Sequence, residues 1–284
     1  MVRSMIGCAL AGAALLGGCT SMGGGETASY DCSRAGLQAA VDAYVAAQTA
    51  GDASLMKLAD PPSYKEQFAA ADLATGIVNT PLAIAFHHSL LDEQRCETFT
   101  EIAVTDPTHP YMLGLHLIVA EGAIAEIDTI VVDDDDWLFS AQGFLTGIAD
   151  EDWGPIPEAE RDSRETIIAA ADPYFAMFKD VSIQPPWYEP CIRQEGGLRI
   201  GCSLSAPLNV EFPNRNYLVD PEIGAVVALV RFNEDLPDSH LFRVEGGKVR
   251  YIHTITNCMG DFNCNFGLPD ALAEERRQRG GRLE

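Results

Sequence analysis

Two apolar stretches of this chain each carry a titratable side chain, and such groups can move protons. Strand alternation places Val249, Tyr251, His253 and Ile255 on one face of the first stretch, and Ile124, Glu126, Asp128 and Ile130 on one face of the second. A histidine or aspartate in such a strand is costly unless it is paired or used. His87 and His88 are neighbours in another strand, point to opposite faces, and cannot hold one metal together. His88 shares its face with Asp92, which makes a His–Asp pair a candidate substrate contact. Arg215, near Asp220, could hold a substrate carboxylate, whereas Arg193 with Glu195 reads as a structural ion pair. No G-x-S-x-G, H-E-x-x-H, P-loop or dinucleotide fingerprint occurs, so serine-hydrolase, zincin and nucleotide chemistries are disfavoured and no metal or cofactor is expected. The run Asp133-Asp134-Asp135-Asp136 lacks the ligand spacing of a calcium loop and reads as a solvated acidic turn.

Composition narrows the setting. Of 284 residues, 19 are Lys or Arg and 42 Asp or Glu, a formal charge of −23 that disfavours nucleic acid as a partner. With 47% hydrophobic and 21% charged residues the chain is globular. Residues 1–18, with Arg3 ahead of an Ala/Gly/Leu run, read as an export signal. Leu16-Gly17-Gly18-Cys19 resembles a lipobox, so Cys19 is the expected lipid-attachment site, outer-membrane sorting the favoured destination and this anchor the only membrane contact. Setting Cys8 and Cys19 aside leaves Cys32, Cys96, Cys191, Cys202, Cys258 and Cys264, the number for three disulfides in an oxidising compartment. Fifteen connectivities are open; Cys191–Cys202 and Cys258–Cys264 are the natural local pairs, which leaves Cys32 for Cys96.

The elements that would position these residues occur twice. Ser33-Arg34 recurs as Ser163-Arg164 and Asp42-Ala43-Tyr44 as Asp172-Pro173-Tyr174, both at an offset of 130. His116-Leu117 through Glu121-Gly122 recurs as His240-Leu241 through Glu245-Gly246 at 124, and Ile127 to Ile130 as Ile252 to Ile255 at 125. On this alignment Asp128 and His253 are equivalent, Lys248 is an extra residue, and His116 and His240 share a structural role at a sheet edge. Each half opens with a helix, Ala35–Gly51 or Arg164–Lys179. Strands follow at Leu82–Leu91, Thr98–Val104, Tyr111–Ala120 and Ile124–Val132, and again at Asn209–Val219, Val226–Asn233, His240–Val244 and Val249–Thr256. The expected organisation is an export signal at 1–18, a tether at 19–31, a first domain at 32–148, a linker at 149–161, a second domain at 162–270 and a polar tail at 271–284.

A helix against an antiparallel sheet that ends in a strand–Glu-Gly–strand hairpin resembles the SnoaL-like, ketosteroid-isomerase-like cone, the nuclear-transport-factor-like fold. The resemblance rests on Tyr44-Val45-Ala46-Ala47-Gln48 through Asp52 and on Phe242-Arg243-Val244-Glu245-Gly246-Gly247 through Thr254. At a finer level His88 to Asp92, Asp136-Trp137-Leu138-Phe139, Cys191 to Gly197 and Asn214 to Asp220 are similar to a family of secreted, mostly fungal proteins of unknown function. The resemblance implies an α+β chain of two tandem cone-shaped barrels, each a curved antiparallel sheet wrapped on an N-terminal helix. It also implies a pocket between helix and sheet that takes a small, largely apolar, aromatic or polyketide-like molecule, with Trp137 among its contacts. The implied activity is cofactor-independent proton transfer of lyase, isomerase, dehydratase or hydrolase type. His253 with Tyr251 or Tyr174 would serve the second pocket, and Asp128 with Tyr44 the first. A hydrophobic-ligand-binding or structural envelope lipoprotein is the competing expectation, and the chain is expected as a monomer or homodimer.

Overall fold

A serine hydroxyl starts the principal helix of each half. Ser33 accepts from the Gly36 N–H at 3.2 Å and caps α1 (Arg34–Ala50), and Ser163 accepts from the Thr166 N–H at 3.3 Å and caps α3 (Arg164–Ala171). Leu37, Val41 and Tyr44 form the buried stripe of α1. In the second half the expected unbroken helix is split, because Pro173 has no N–H to give, and a separate turn α4 (Pro173–Met177) follows. The computed structural model describes residues 29–204, 208–265, 267 and 269–279. The expected signal, most of the tether and Cys19 lie outside the described residues. None of the described helices is long and apolar enough to cross a membrane.

The first half continues with β1 (Leu58–Glu66), β2 (Ala69–Ala70), β3 (Phe86–Asp92), β4 (Glu97–Val104), β5 (Tyr111–Ala120), β6 (Ala123–Val132) and α2 (Ala141–Gly147). The second has β7 (Trp187–Glu195), β8 (Leu198–Gly201), β9 (Asn216–Asp220), β10 (Ala225–Phe232), β11 (Leu236–Glu245) and β12 (Lys248–Thr256), then α5 (Asp270–Arg279). The strands form two six-stranded sheets of identical order, β2-β1-β6-β5-β4-β3 and β8-β7-β12-β11-β10-β9. All pairs are antiparallel except β1 on β6 and β7 on β12. Those two parallel strands escape the sequence pattern because prolines interrupt them, Pro61 and Pro62 in β1 and Pro190 in β7.

The closing hairpins correct the repeat alignment. Both have two-residue turns with positive φ, Glu121-Gly122 (52° and 78°) and Gly246-Gly247 (57° and 69°), the geometry that matches strand twist. Across the closing hairpins the structural offset is therefore 125: Val119 faces Ile124 as Val244 faces Val249. Lys248 is no insertion, and the His-Leu identity at 124 is out of register. His116 corresponds to Leu241, and His240 to Leu115. A bulge in each hairpin, at Ala125 and Arg250, also breaks the expected alternation. Beyond it Ile127 and Ile252 face their helices with Ile124 and Val249, while Asp128, Tyr251, His253 and Ile255 turn to the opposite face.

Those opposite faces pack on each other. Leu90 and Phe99 meet Leu218, Val227 and Leu241 in one interface cluster, and Met112, Ile130 and Phe144 meet Ile255 in another. The Ser-Arg repeat locks this contact reciprocally. Arg34, beginning the first helix, reaches Asp220 of the second half at 2.9 Å, and Arg164, beginning the second, reaches Asp92 of the first at 2.7 Å. Each aspartate also accepts a backbone N–H across the interface, Asp220 from Leu91 at 3.1 Å and Asp92 from Val219 at 2.8 Å.

Three disulfides close as the local pairing anticipates: Cys32–Cys96, Cys191–Cys202 and Cys258–Cys264. The first closes a loop of 64 residues and removes about 4 kcal/mol of denatured-state entropy. Both aspartate side chains are 1% exposed, while Arg164 is 18% and Arg34 31% exposed. Arg164→Ala, which leaves Asp92 buried without its cation, is therefore expected to cost about 3 kcal/mol in urea unfolding, and Arg34→Ala less.

Candidate functional site

The register that puts His240 opposite Leu115 also puts Asp238 opposite Leu113, so the second half carries two titratable groups where the first has core leucines. Both face the helix side of their sheet and border a cavity of about 260 Å³. Phe178, Ile200, Leu204, Leu208 and Phe232 make its apolar wall. Its polar part is Arg193, Glu195, Asp238, His240 and Thr256. Trp137 and Leu138, from the first half, and Cys264 complete the lining.

The electrostatics of this cavity follow from burial. Asp238 is 1% exposed and accepts from the Thr256 hydroxyl at 2.9 Å; desolvation, with Glu195 adding to it, raises its pKa well above the usual carboxylate range. Burial and the nearby Arg193 charge lower His240 to about 3, so its imidazole is neutral. Its Nδ1 lies 3.2 Å from Asp238 Oδ2. The site also holds an ion pair, Arg193 Nε to Glu195 Oε1 at 2.9 Å. Arg193 also donates to the Tyr174 hydroxyl at 3.1 Å, and Glu195 Oε2 accepts from Trp137 Nε1 at 2.9 Å and Thr254 Oγ1 at 3.1 Å. Burial is the main cause that raises the Tyr174 pKa, so the phenol stays protonated.

In the first half the equivalent positions carry buried core side chains, Leu113 and Leu115. Tyr64 and Glu66 occupy the positions of Arg193 and Glu195, with Tyr64 donating to Glu66 at 2.6 Å. Tyr44 is fully buried, and its hydroxyl donates to Gln48 at 3.0 Å. Tyr44 and Asp128 therefore lie on opposite faces of one sheet and do not form a set.

His253 and Tyr251 face the other sheet, away from Tyr174 and the cavity. His253 donates from Nδ1 to Glu101 and from Nε2 to Glu151, both at 2.8 Å, with all three side chains 1% exposed. Burial alone would lower its pKa, but the two carboxylates outweigh it and raise it to about 10. Trp153 covers this cluster, its ring centre 5.0 Å from those of His253 and His88 and 5.9 Å from that of Tyr251. His88 is held neutral at about 3 by burial and by the charges of His253, Arg243 and His87. It does not pair with Asp92, which is taken by Arg164.

Two further expectations change. Arg215 is engaged with Asp172 at 2.5 Å, donates to the Phe212 carbonyl at 3.0 Å and lies over the Phe175 ring, which accounts for its charge within the fold. Asp136 is buried rather than solvated: it accepts from the Cys258 and Asp133 N–H groups at 2.6 and 3.0 Å, and burial raises it to about 7. That anchor holds the Trp137-Leu138 strap against the cavity, and Trp137 is the expected substrate contact that does reach it. Sequence reasoning misses Asp238 and Thr256, and it assigns His240 to a sheet edge. The signal that finds them is the two-residue turn, read as a hairpin before the repeats are aligned.

A family model described as a domain of unknown function (DUF8021) matches residues 160–256, most of the second half. No curated protein matches the chain.

The folded pKa of His253, about 10, lies above the ordinary imidazole value of 6.5. Its contribution to stability is complete below pH 6.5 and is lost as pH rises towards 10. Thermal melts across pH 6 to 10, a range set by about those two values, should show a falling melting temperature that flattens in His253→Gln.

Proposed function

We propose that this protein is an exported, cofactor-independent enzyme whose second half binds a small, largely apolar molecule and transfers a proton on it. The observation that carries the reading is one cavity that joins apolar walls to two buried, adjacent groups, Asp238 with its raised pKa and neutral His240. Asp238, whose pKa burial raises, is the group that takes a proton from the carbon beside a carbonyl and returns it to the product, so the proton balance closes on one carboxyl. Neutral His240 offers an N–H to a carbonyl oxygen on which charge develops. Isomerisation, dehydration and related lyase steps need these two services, and a cavity of cone type would supply both. The filled first half acts as scaffold and, through Trp137 and Leu138, as part of the lid.

Export belongs to the same proposal. Three disulfides fit an oxidising compartment, and Cys19 would carry the lipid that tethers the mature chain to a membrane. With the two sheets already packed within one chain, a monomer needs no second copy to cover them. A second reading, an envelope lipoprotein that captures an apolar ligand without turnover, draws support from the filled first half, where the equivalent positions carry no usable group.

Solvent-deuterium exchange separates the two readings even while the product is unidentified. A panel of small cyclic ketones and hydroxyketones is incubated in D2O with the mature chain, and ring-proton exchange is followed by NMR. The enzyme reading expects catalysed exchange that falls about 100-fold or more in Asp238→Asn and in His240→Phe. Binding with exchange no faster than in those variants would leave the capture reading.

A further inference from the structure

The two halves create two quasi-equivalent grooves where their sheets diverge, and they are filled differently. One is floored by Tyr251 and His253 and walled by His88 and Glu101; the linker occupies it, with Glu151 on His253 and Trp153 against three rings. The offset of 125 makes Glu126 and Asp128 the counterparts of Tyr251 and His253. Asn216 and Leu229 stand where His88 and Glu101 stand, since Asp220 and Ala225 pair as Asp92 and Glu97 do. Glu126, Asp128, Asn216 and Leu229 line a second groove of about 870 Å³; Phe68 of the β1–β2 turn forms part of its wall, and no stretch among the described residues crosses it as the linker crosses its counterpart.

We propose that this open groove binds an extended, basic peptide segment of another protein, in the way its counterpart binds the chain's own acidic linker. The first argument is precedent within the molecule: an irregular stretch containing an indole already seats in the equivalent place. The second is charge. Where the occupied groove offers the His253 cation to Glu151, the open one offers the Asp128 carboxylate, so the matching side chain is Lys or Arg.

The groove's own cations are paired elsewhere and reach Asp128 only through space. Lys65 pairs with Glu126 at 2.8 Å, Arg95 with Glu97 at 3.0 Å, Arg215 with Asp172, and Arg231 donates to the Asp235 carbonyl at 3.0 Å. His116 is turned to Glu97 at 2.8 Å. The hydrogen bond that Asp128 accepts is from the Phe68 N–H at 3.3 Å. Burial raises its pKa, while His116 and Lys65 oppose and Glu126 adds to that rise, so an incoming cation would relieve a real cost. The chain's charge of −23 steers a basic partner towards it.

The probe is an acetylated peptide Lys-Asn-Trp-Gly-Pro-Ile-Pro, the linker sequence with its acids replaced, titrated into the full chain by calorimetry beside Glu-Asp-Trp-Gly-Pro-Ile-Pro. The basic peptide is expected to bind at least about tenfold tighter than the acidic one. Asp128→Asn should weaken it by about the same factor with an unchanged melting temperature, and Asn214→Trp, which fills the groove from its outer wall, should weaken it independently. Equal binding of both peptides, no binding at millimolar peptide, or binding that survives both substitutions would overturn the proposal. So would a neutral oligosaccharide that binds in the groove while the peptides do not.

Discussion

The reciprocal exchange of Arg34 to Asp220 and Arg164 to Asp92 is the constraint on which the rest of the molecule depends. Each arginine begins a helix in its own half and ends on a carboxylate in the other, so neither helix can be placed without fixing the opposite sheet edge. Both aspartates are desolvated, and each receives a cation together with a backbone N–H from the facing strand, the set of partners a buried carboxylate requires. The apolar clusters supply adhesion between the sheets, but hydrophobic contact is not directional. The crossed ion pairs choose the register in which those clusters meet.

Once the sheets are held in that register, polar groups on their facing sides must be satisfied locally or left to a ligand. His253 shows the first outcome: two carboxylates and an indole enclose it. Asp128, its counterpart, has one backbone N–H, that of Phe68, and borders an open groove. On the helix sides the halves have parted chemically. Tyr64, Leu113 and Leu115 make the first half solid, while Arg193, Asp238 and His240 open a polar floor in the second.

Much of this architecture is legible in the residues. The helix starts and the four antiparallel strands of each half follow from periodicity, although β3 and β9 begin later than expected, at Phe86 and Asn216, and cysteine spacing favours the three disulfide pairs that form. The parallel strands are not, because Pro61 and Pro190 erase the alternation that would reveal them. The site escapes the pattern for a related reason. A bulge at Ala125 and Arg250 is invisible to a rule of strict alternation, and a single bulge exchanges the faces of every residue beyond it. Alternation thereby assigns His253 and Asp128 to a pocket, and the His-Leu identity one residue out of register conceals that His240 is the histidine facing it. Trp137 is singled out by the resemblance and not by its spacing, and the burial of Asp136 that anchors it cannot be read from four consecutive aspartates.

The strap that carries Trp137 and Leu138 has a consequence for how the two halves can change. The cavity lies in the second half, yet part of its wall is encoded ahead of the segment that matches the family model, and it is pinned through Asp136 to the Cys258 turn. The two copies are thus no longer interchangeable units. A second half on its own would arrive with an open side, so the shape of this one cavity is written on both sides of the seam between the halves.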